Sequence, residues 1–382
     1  MIRRVEKSLV SYGFRKILVC ILLFVSIICL NAAGQIMVDN PARPARTDSG
    51  RSVLLEETFR IKDDGEKITF KGQVNLAFSG DGALFFLAYN HLFKFSQSGQ
   101  FVFRTIKEGE GPSETNQASQ FFFVDSRIRV LSFIPPKVLD YDNSGRYLKE
   151  VKTRMPLRLY FLSYIEGKIY GIRDEIAYSD DIIREGFIES PFRLYEISED
   201  FQTLNKIHDF PVQHYIKNSS WFRTTSVCWA ASGHSLFAVH TPGYRIAKFG
   251  LRSASLERIF KRSYTRPKIP GSKNKEERAD PELRGISLPK IEYSFDILRL
   301  LIFRNALWVV TSTQDDIGSN WLVDVFDFEG KYIDCFYLQF PLNSQRHQIQ
   351  TSVLSKDGFL ALCEESPDGL ISVAKYRIPG KL

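Results

Sequence analysis

A chain of 382 residues with 51 lysines and arginines against 44 acids carries a formal charge of +7, which first suggests an anionic partner such as nucleic acid. Residues 1–34 hold five of those bases (Arg3, Arg4, Lys7, Arg15, Lys16) and one acid (Glu6), so the rest keeps only 7 − 4 = +3; no nucleic-acid partner is expected. Cys20 and Cys29 fall in the same segment, and the remaining Cys228, Cys335 and Cys363 form no Cys-x-x-Cys pair, which excludes a disulfide framework and a zinc site built on close cysteines but leaves room for one bridge.

Residues 1–34 have the layout of a secretory signal peptide: a basic head, the uncharged run from Ile17 to Leu30, and the small-residue exit Asn31-Ala32-Ala33-Gly34. The run is shorter than the ~20 residues of a membrane span. Export to a periplasmic or extracellular space is expected, and an uncleaved anchor would be the one route to a membrane. Residues 35–52, with Pro41, Pro44 and Gly50 and no hydrophobic period, read as a linker. A lone strand follows over Val53–Ile61, ended by Asp63-Asp64-Gly65.

From about Gln73 onward a two-part phrase recurs. A strand opens on a small or polar turn, as in Gly82-Ala83-Leu84-Phe85-Phe86, and a later strand ends in an aromatic residue and a tight turn, as in Phe95-Ser96-Gln97-Ser98-Gly99. It returns as Arg127-Ile128-Arg129-Val130 with Tyr141 and Gly145, and as Gly167-Lys168-Ile169-Tyr170 with Tyr195. Gly233-His234-Ser235-Leu236-Phe237 with Phe249, Asn305-Ala306-Leu307-Trp308 with Phe326, and Gly358-Phe359-Leu360 with Tyr376 complete the set. Six such units predict an all-β, six-bladed β-propeller over residues 53–382. The end of the chain supplies only three strands of the last blade, so the strand near Val53–Ile61 is expected to complete it and close the ring. Two insertions absorb the surplus length: an acidic one at 174–191, and one at 261–290 with nine basic and four acidic residues, net +5.

Gly109-Glu110-Gly111-Pro112-Ser113-Glu114 resembles the Gly-x-Gly-Pro-Gly-Glu-Phe turn of bacterial exported six-bladed β-propellers related to NHL-repeat proteins, with Ser113 in place of a glycine and no following Phe. The repeated phrase is similar to that family's Gly-x-Ile-Tyr-Val-x-Asp. The resemblance implies an exported propeller with no settled common activity. Where the family phrase ends in Asp, this chain has Ala88, Ser132, Arg173, His240, Thr311 and Glu364. If these six line the axis, Arg173, His240 and Glu364 are the candidate ligand residues: Arg173 for an anionic group, Glu364 as acceptor or counter-charge, His240 as a pH-sensitive contact. The plainer role is a turn hydrogen bond or a solvated side chain.

The chain contains no Gly-x-Ser-x-Gly elbow, His-Glu-x-x-His pair, phosphate-binding loop or calcium loop. His208 and His214, like His234 and His240, are six apart, about 20 Å along a strand and too far to share a metal. No cofactor or metal is expected. The function favoured is a binding or protein-interaction module, a monomer with an unknown protein or anionic glycan as ligand. The alternative is a metal-dependent lactonase, hydrolase or lyase using the central channel, whose ligands would come from separate blades.

Overall fold

The computed structural model describes residues 36–70, 74–153, 159–175, 186–217, 220–223, 227–240, 243–268, 293–315, 318, 320–341 and 346–380. Their secondary structure is β throughout, in six sheets. Blade 1 contains Asn75–Phe78, Leu84–Ala88, His91–Phe95 and Phe101–Thr105. Blade 2 contains Gln117–Val124, Arg127–Ile134, Lys137–Asp142 and Tyr147–Lys152. Blade 3 runs Leu159–Ile165, Lys168–Asp174, Gly186–Ile197 and Leu204–Lys217, with Ser220–Arg223 added outside. Blade 4 comprises Val227–Ser232, Ser235–His240, Arg245–Gly250 and Ser255–Arg262; blade 5, Ile297–Phe303, Ala306–Gln314, Trp321–Asp327 and Tyr332–Gln339. Blade 6 has Arg346–Leu354, Phe359–Glu365 and Ile371–Arg377 from the end of the chain, and Glu56–Lys62 from its beginning.

Side chains on a strand alternate between the two faces of its sheet, and here each face meets a neighbouring blade. Phe85 packs toward blade 2 with Phe121, Val130 and Leu139, while Phe86 packs toward blade 6 with Ile61, Cys363 and Val373. Four further buried clusters join blades 2 to 3, 3 to 4, 4 to 5 and 5 to 6. Six blades therefore share six cores in a ring. The fold is a six-bladed β-propeller.

The recurring glycine has a packing cause. Gly99, Gly145 and Gly330 sit at φ of +86°, +83° and +86° in the last turn of their blades. A Cβ on them would meet Phe59, Phe103 and Phe260 at 2.6, 2.9 and 2.7 Å. Each of those aromatics lies on the outer strand of the preceding blade, so the turn and the aromatic fit only without a side chain on the glycine. A cation of the preceding blade completes the contact. Lys375 donates to the Gln97 carbonyl (2.9 Å), Lys94 to that of Asn143 (2.9 Å) and Arg129 to that of Glu199 (3.0 Å). Lys248 reaches the Glu329 carboxylate (3.2 Å) in the corresponding turn of blade 5.

The ring closes as the sequence predicts, with one difference. Glu56–Lys62 pairs antiparallel with Ile371–Arg377, from Arg377 opposite Glu56 to Ser372 opposite Lys62. The residues just before it do not belong to that strand: Arg51–Leu54 pairs parallel with Tyr332–Gln339 on the outside of blade 5. The segment 35–52 is also more than a linker. Ile36–Asn40 adds a fifth strand outside Ser255–Arg262 of blade 4. Asn40 donates to the carbonyls of Lys261 (3.1 Å) and Gly330 (2.8 Å) and accepts from the Tyr332 amide (2.9 Å). Arg46 and Arg51 both reach the Asp334 carboxylate, at 3.1 and 2.9 Å. The chain thus crosses the outer edges of blades 4, 5 and 6 in turn and covers strand edges that would otherwise be open. Cys228, Cys335 and Cys363 are not joined in a disulfide. Residues 1–34, read from the sequence as a signal peptide, lie outside the described residues.

Candidate functional site at the loop-bearing face

The first strands of the blades lie innermost: Asn75–Phe78 approaches Gln117–Val124 and Arg346–Leu354, and Ile297–Phe303 lies between Val227–Ser232 and Arg346–Leu354. Because each blade is antiparallel, connections between second and third strands emerge at the same end as connections between blades. The other end holds turns, none longer than the six residues 198–203 between Ile197 and Leu204, together with the entry of the N-terminal strand at Glu56 and the exit of the chain after Arg377. Those short turns include the ones held by the glycine, aromatic and cation contacts described above. The connections of more than ten residues, Lys62 to Asn75, Thr105 to Gln117 and the two insertions Asp174 to Gly186 and Arg262 to Ile297, all leave at the first end. Variable loops on a rigid frame are where propellers and other scaffolds carry binding.

Both insertions start from pinned bases. Arg266 binds Asp296 (2.6 Å), Ser294 donates to the Pro267 carbonyl (3.2 Å), and Lys268 bridges to Tyr293. Burial lifts the Asp296 carboxyl above its ordinary pKa even though Arg266 draws it down. Residues 269–292 lie outside the described residues. At the acidic insertion, Arg173 grips Glu175 through two nitrogens (2.8 and 2.9 Å) and lies over the Tyr195 ring. Tyr195 in turn donates to Glu175 (2.8 Å), and Arg193 links Glu175 to Asp209. Residues 176–185 are not described, whereas Gly186–Ile197 is a strand, so the insertion is shorter than the 174–191 read from the sequence. The charge of 261–290 is also smaller in effect. Lys261 pairs with Asp39, Arg262 with Asp324 and Arg266 with Asp296, and the rest of the segment has six bases against four acids, a net of 6 − 4 = +2.

The Gly109–Glu114 turn sits on the same end. Ser113 has φ of +62°, a left-handed conformation that a glycine would adopt without strain. Glu114 folds back to accept from the Gly111 amide (2.9 Å), and Lys137 and Tyr141 of blade 2 bind the carbonyls of Gly111 (2.7 Å) and Ser113 (3.3 Å).

Of the three sequence candidates, Arg173 and Glu364 do not converge. All stand on second strands, one strand removed from the axis, so they do not form an inner ring. Arg173 belongs to the base of the acidic insertion on blade 3. The His240 side chain lies outside the described residues; its backbone ends the second strand of blade 4 opposite Val227. Glu364 is fully buried in blade 6, where it accepts from Arg60, from Tyr376 and from His347 Nδ1 (2.8 Å). Burial works to raise its pKa, but the hydrogen bonds from His347, Tyr376 and Arg60 win, and the carboxyl sits below its ordinary value. Arg60 comes from the N-terminal strand, so Glu364 is a clasp of the ring closure. The remaining equivalent positions are interior too: Ala88, Ser132 and Thr311 are buried, Ser132 donates to the Pro135 carbonyl (2.6 Å) and Thr311 to that of Leu322 (3.1 Å). Blade 5 carries a second buried clasp, Asp324, which binds Tyr244 (2.6 Å) and Arg262 (2.6 Å) of blade 4 and Tyr332 (2.7 Å).

Residues 76–224 match the model of a family described as a 6-bladed beta-propeller. Among solved structures, a Bacteroides fragilis NCTC 9343 protein named as exported superposes with a TM-score of 0.52 at 14% identity, covering 90% of this chain and 99% of its own. A Bacteroides caccae protein of unknown function gives 0.39 at 14% identity over 74% of this chain and 92% of its own, and the Neurospora crassa Pan2 WD40 domain 0.39 at 12% over 81% and 75%. At such identities the likeness is one of fold. Curated proteins offer no match to this chain.

Proposed function

We propose that the protein is an exported binding module, periplasmic or extracellular, that engages its ligand through the loop-bearing end of the propeller. The observation that carries this reading is the difference between the two ends. One carries short turns, four of them tied to the preceding blade, while the other presents both insertions from ion-paired bases. Export is supported by the basic head and apolar run of residues 1–34 and by the name of the Bacteroides fragilis neighbour. A kinship with NHL-repeat propellers rests on the Gly109–Glu114 turn and the repeated phrase alone.

The donor chemistry at the axis favours binding over metal-dependent hydrolysis. The six innermost strands contain no Asp or Glu, and their one histidine, His347, is committed to Glu364 and stacked on Phe340. A catalytic divalent ion of the lactonase kind needs several hard oxygen or imidazole donors converging at one point. Surface plasmon resonance against immobilised polygalacturonate and chondroitin sulfate tests the reading, with a variant in which Gly-Ser linkers replace residues 176–185 and 269–292. Saturable binding by the parent that is lost in the trimmed variant, with unchanged melting, supports it. Undiminished binding by the trimmed variant, or metal-dependent turnover of a lactone by the parent, overturns it.

A further inference from the structure

Arg299 is the third residue of the innermost strand of blade 5, Ile297–Phe303, close to where that strand enters from the loop-bearing end. Every other arginine whose side chain is described either pairs with a carboxylate or is exposed; Arg299 does neither. Its Nε donates to the carbonyl of Ser352 (2.9 Å) on the innermost strand of blade 6. Among the described residues its two terminal nitrogens have no hydrogen-bond partner. Burial pushes its pKa down, and the Cys228 thiol of blade 4 is the one charge-bearing group that acts to raise it. A half-buried guanidinium without a counter-charge is a costly arrangement for stability alone.

The backbone around it is irregular in a way that regular ladder formation does not require. The pairing slips between Ile297 and Arg299, so that Leu298 is an extra residue there. On the facing strand the pairing slips again between Gln348 and Val353. Within that second bulge Ser352 is fully buried and its hydroxyl has no partner, while Gln350 is exposed. Bulges re-aim side chains and collect beside binding sites. Two of them on adjacent innermost strands, one turning out an arginine and the other offering it a carbonyl, are independent of the charge argument.

We propose that Arg299 is an anion-binding residue at the axis between blades 5 and 6, and that its ligand is a monoanionic carboxylate, such as that of a uronic acid. With Nε held by Ser352, the Nη1 and Nη2 donors remain for the two carboxylate oxygens in a paired, end-on contact. The other cation on the described innermost strands, Arg346, is exposed and stands beside Glu365 (3.8 Å), so a single negative charge is matched by Arg299 and a phosphate dianion is not. The site does not depend on the two insertions and stands apart from the loop-end reading.

Titration calorimetry at low ionic strength with sodium galacturonate tests the site, with sodium acetate, inorganic sulfate and neutral methyl galactoside as comparison probes. The folded parent is expected to bind galacturonate saturably at one site and not to bind the neutral sugar. Acetate binding alongside it marks the carboxylate itself as the determinant, and galacturonate without acetate marks an acidic sugar. R299M and R299Q are each expected to weaken binding at least about ten-fold. R299M should melt no lower than the parent, because it removes an unpaired charge, and R299Q keeps a donor for Ser352 if R299M folds poorly. Absence of carboxylate binding by the parent overturns the proposal, as does equal binding by R299Q or tighter binding of sulfate than of any carboxylate. A midpoint that falls in R299M and recovers in R299Q, without binding by the parent, would reduce Arg299 to a structural tie.

Discussion

Arg60→Ala tests whether the ring is held by its buried clasp. The guanidinium is 11% exposed and its partner Glu364 is fully buried, so removing Arg60 leaves a carboxylate out of water with only His347 and Tyr376 to stabilise it. Breaking one side of a buried pair costs about 3–5 kcal/mol. The Arg60–Glu57 contact at the strand's outer edge is more exposed and adds at most a fraction of that. Urea unfolding monitored by tryptophan fluorescence reads the loss, and R60M/E364Q should recover a large part of it, since both charges are removed together while the amide oxygen still accepts from His347 and Tyr376. The pH dependence has a definite sign. Glu364 has a folded pKa below its unfolded value, so its contribution is present above the ordinary carboxylate range and disappears as pH falls through the lower folded value. The gap between parent and E364Q should therefore be widest near neutral pH and narrow on acidification. An R60A protein that unfolds with the parent at pH 7 would refute the clasp.

Two smaller outcomes follow from the same packing. Gly330→Ala places a Cβ 2.7 Å from Phe260 at φ +86°, whereas Gly167→Ala, at φ +82°, meets open space. The second should cost about 1 kcal/mol for backbone conformation alone, and the first about 1–3 kcal/mol more for displacing the ring; equal losses in urea unfolding would contradict the interblade contact. Burial pushes the Cys363 thiol up to about 11, so iodoacetamide at pH 8 should leave it unmodified in the folded protein while modifying it in urea; rapid native labelling, read by mass spectrometry, would contradict its place in the core between blades 6 and 1.

Six units are legible in this sequence because the interblade contact makes local demands. Gly99, Gly145 and Gly330 cannot carry side chains against Phe59, Phe103 and Phe260, and that need writes a visible glycine after an aromatic strand. The closing strand is legible by subtraction, since the last blade lacks one. What stays hidden depends on partners far along the chain. Glu364 looks like a free strand-end acid until Arg60, 304 positions away, is set against it. Nothing local marks Asn40 as the bridge between blades 4 and 5, because its partners are carbonyls at 261 and 330. Taking the second strands as the axis lining misassigned the ring, and with it the role of Glu364. Arg299 did leave a trace: one charge inside Leu298-Arg299-Leu300-Leu301-Ile302-Phe303, on a first strand, where an apolar filler would pack better.

The closure of the ring by the N-terminal strand is the claim on which the rest depends, and hydrogen exchange followed by mass spectrometry measures it directly. Peptides covering Glu56–Lys62 should exchange as slowly as those covering Ile371–Arg377, the two opening together only in global unfolding. Exchange of Glu56–Lys62 within seconds, while Ile371–Arg377 stays protected, would contradict a propeller closed in this way.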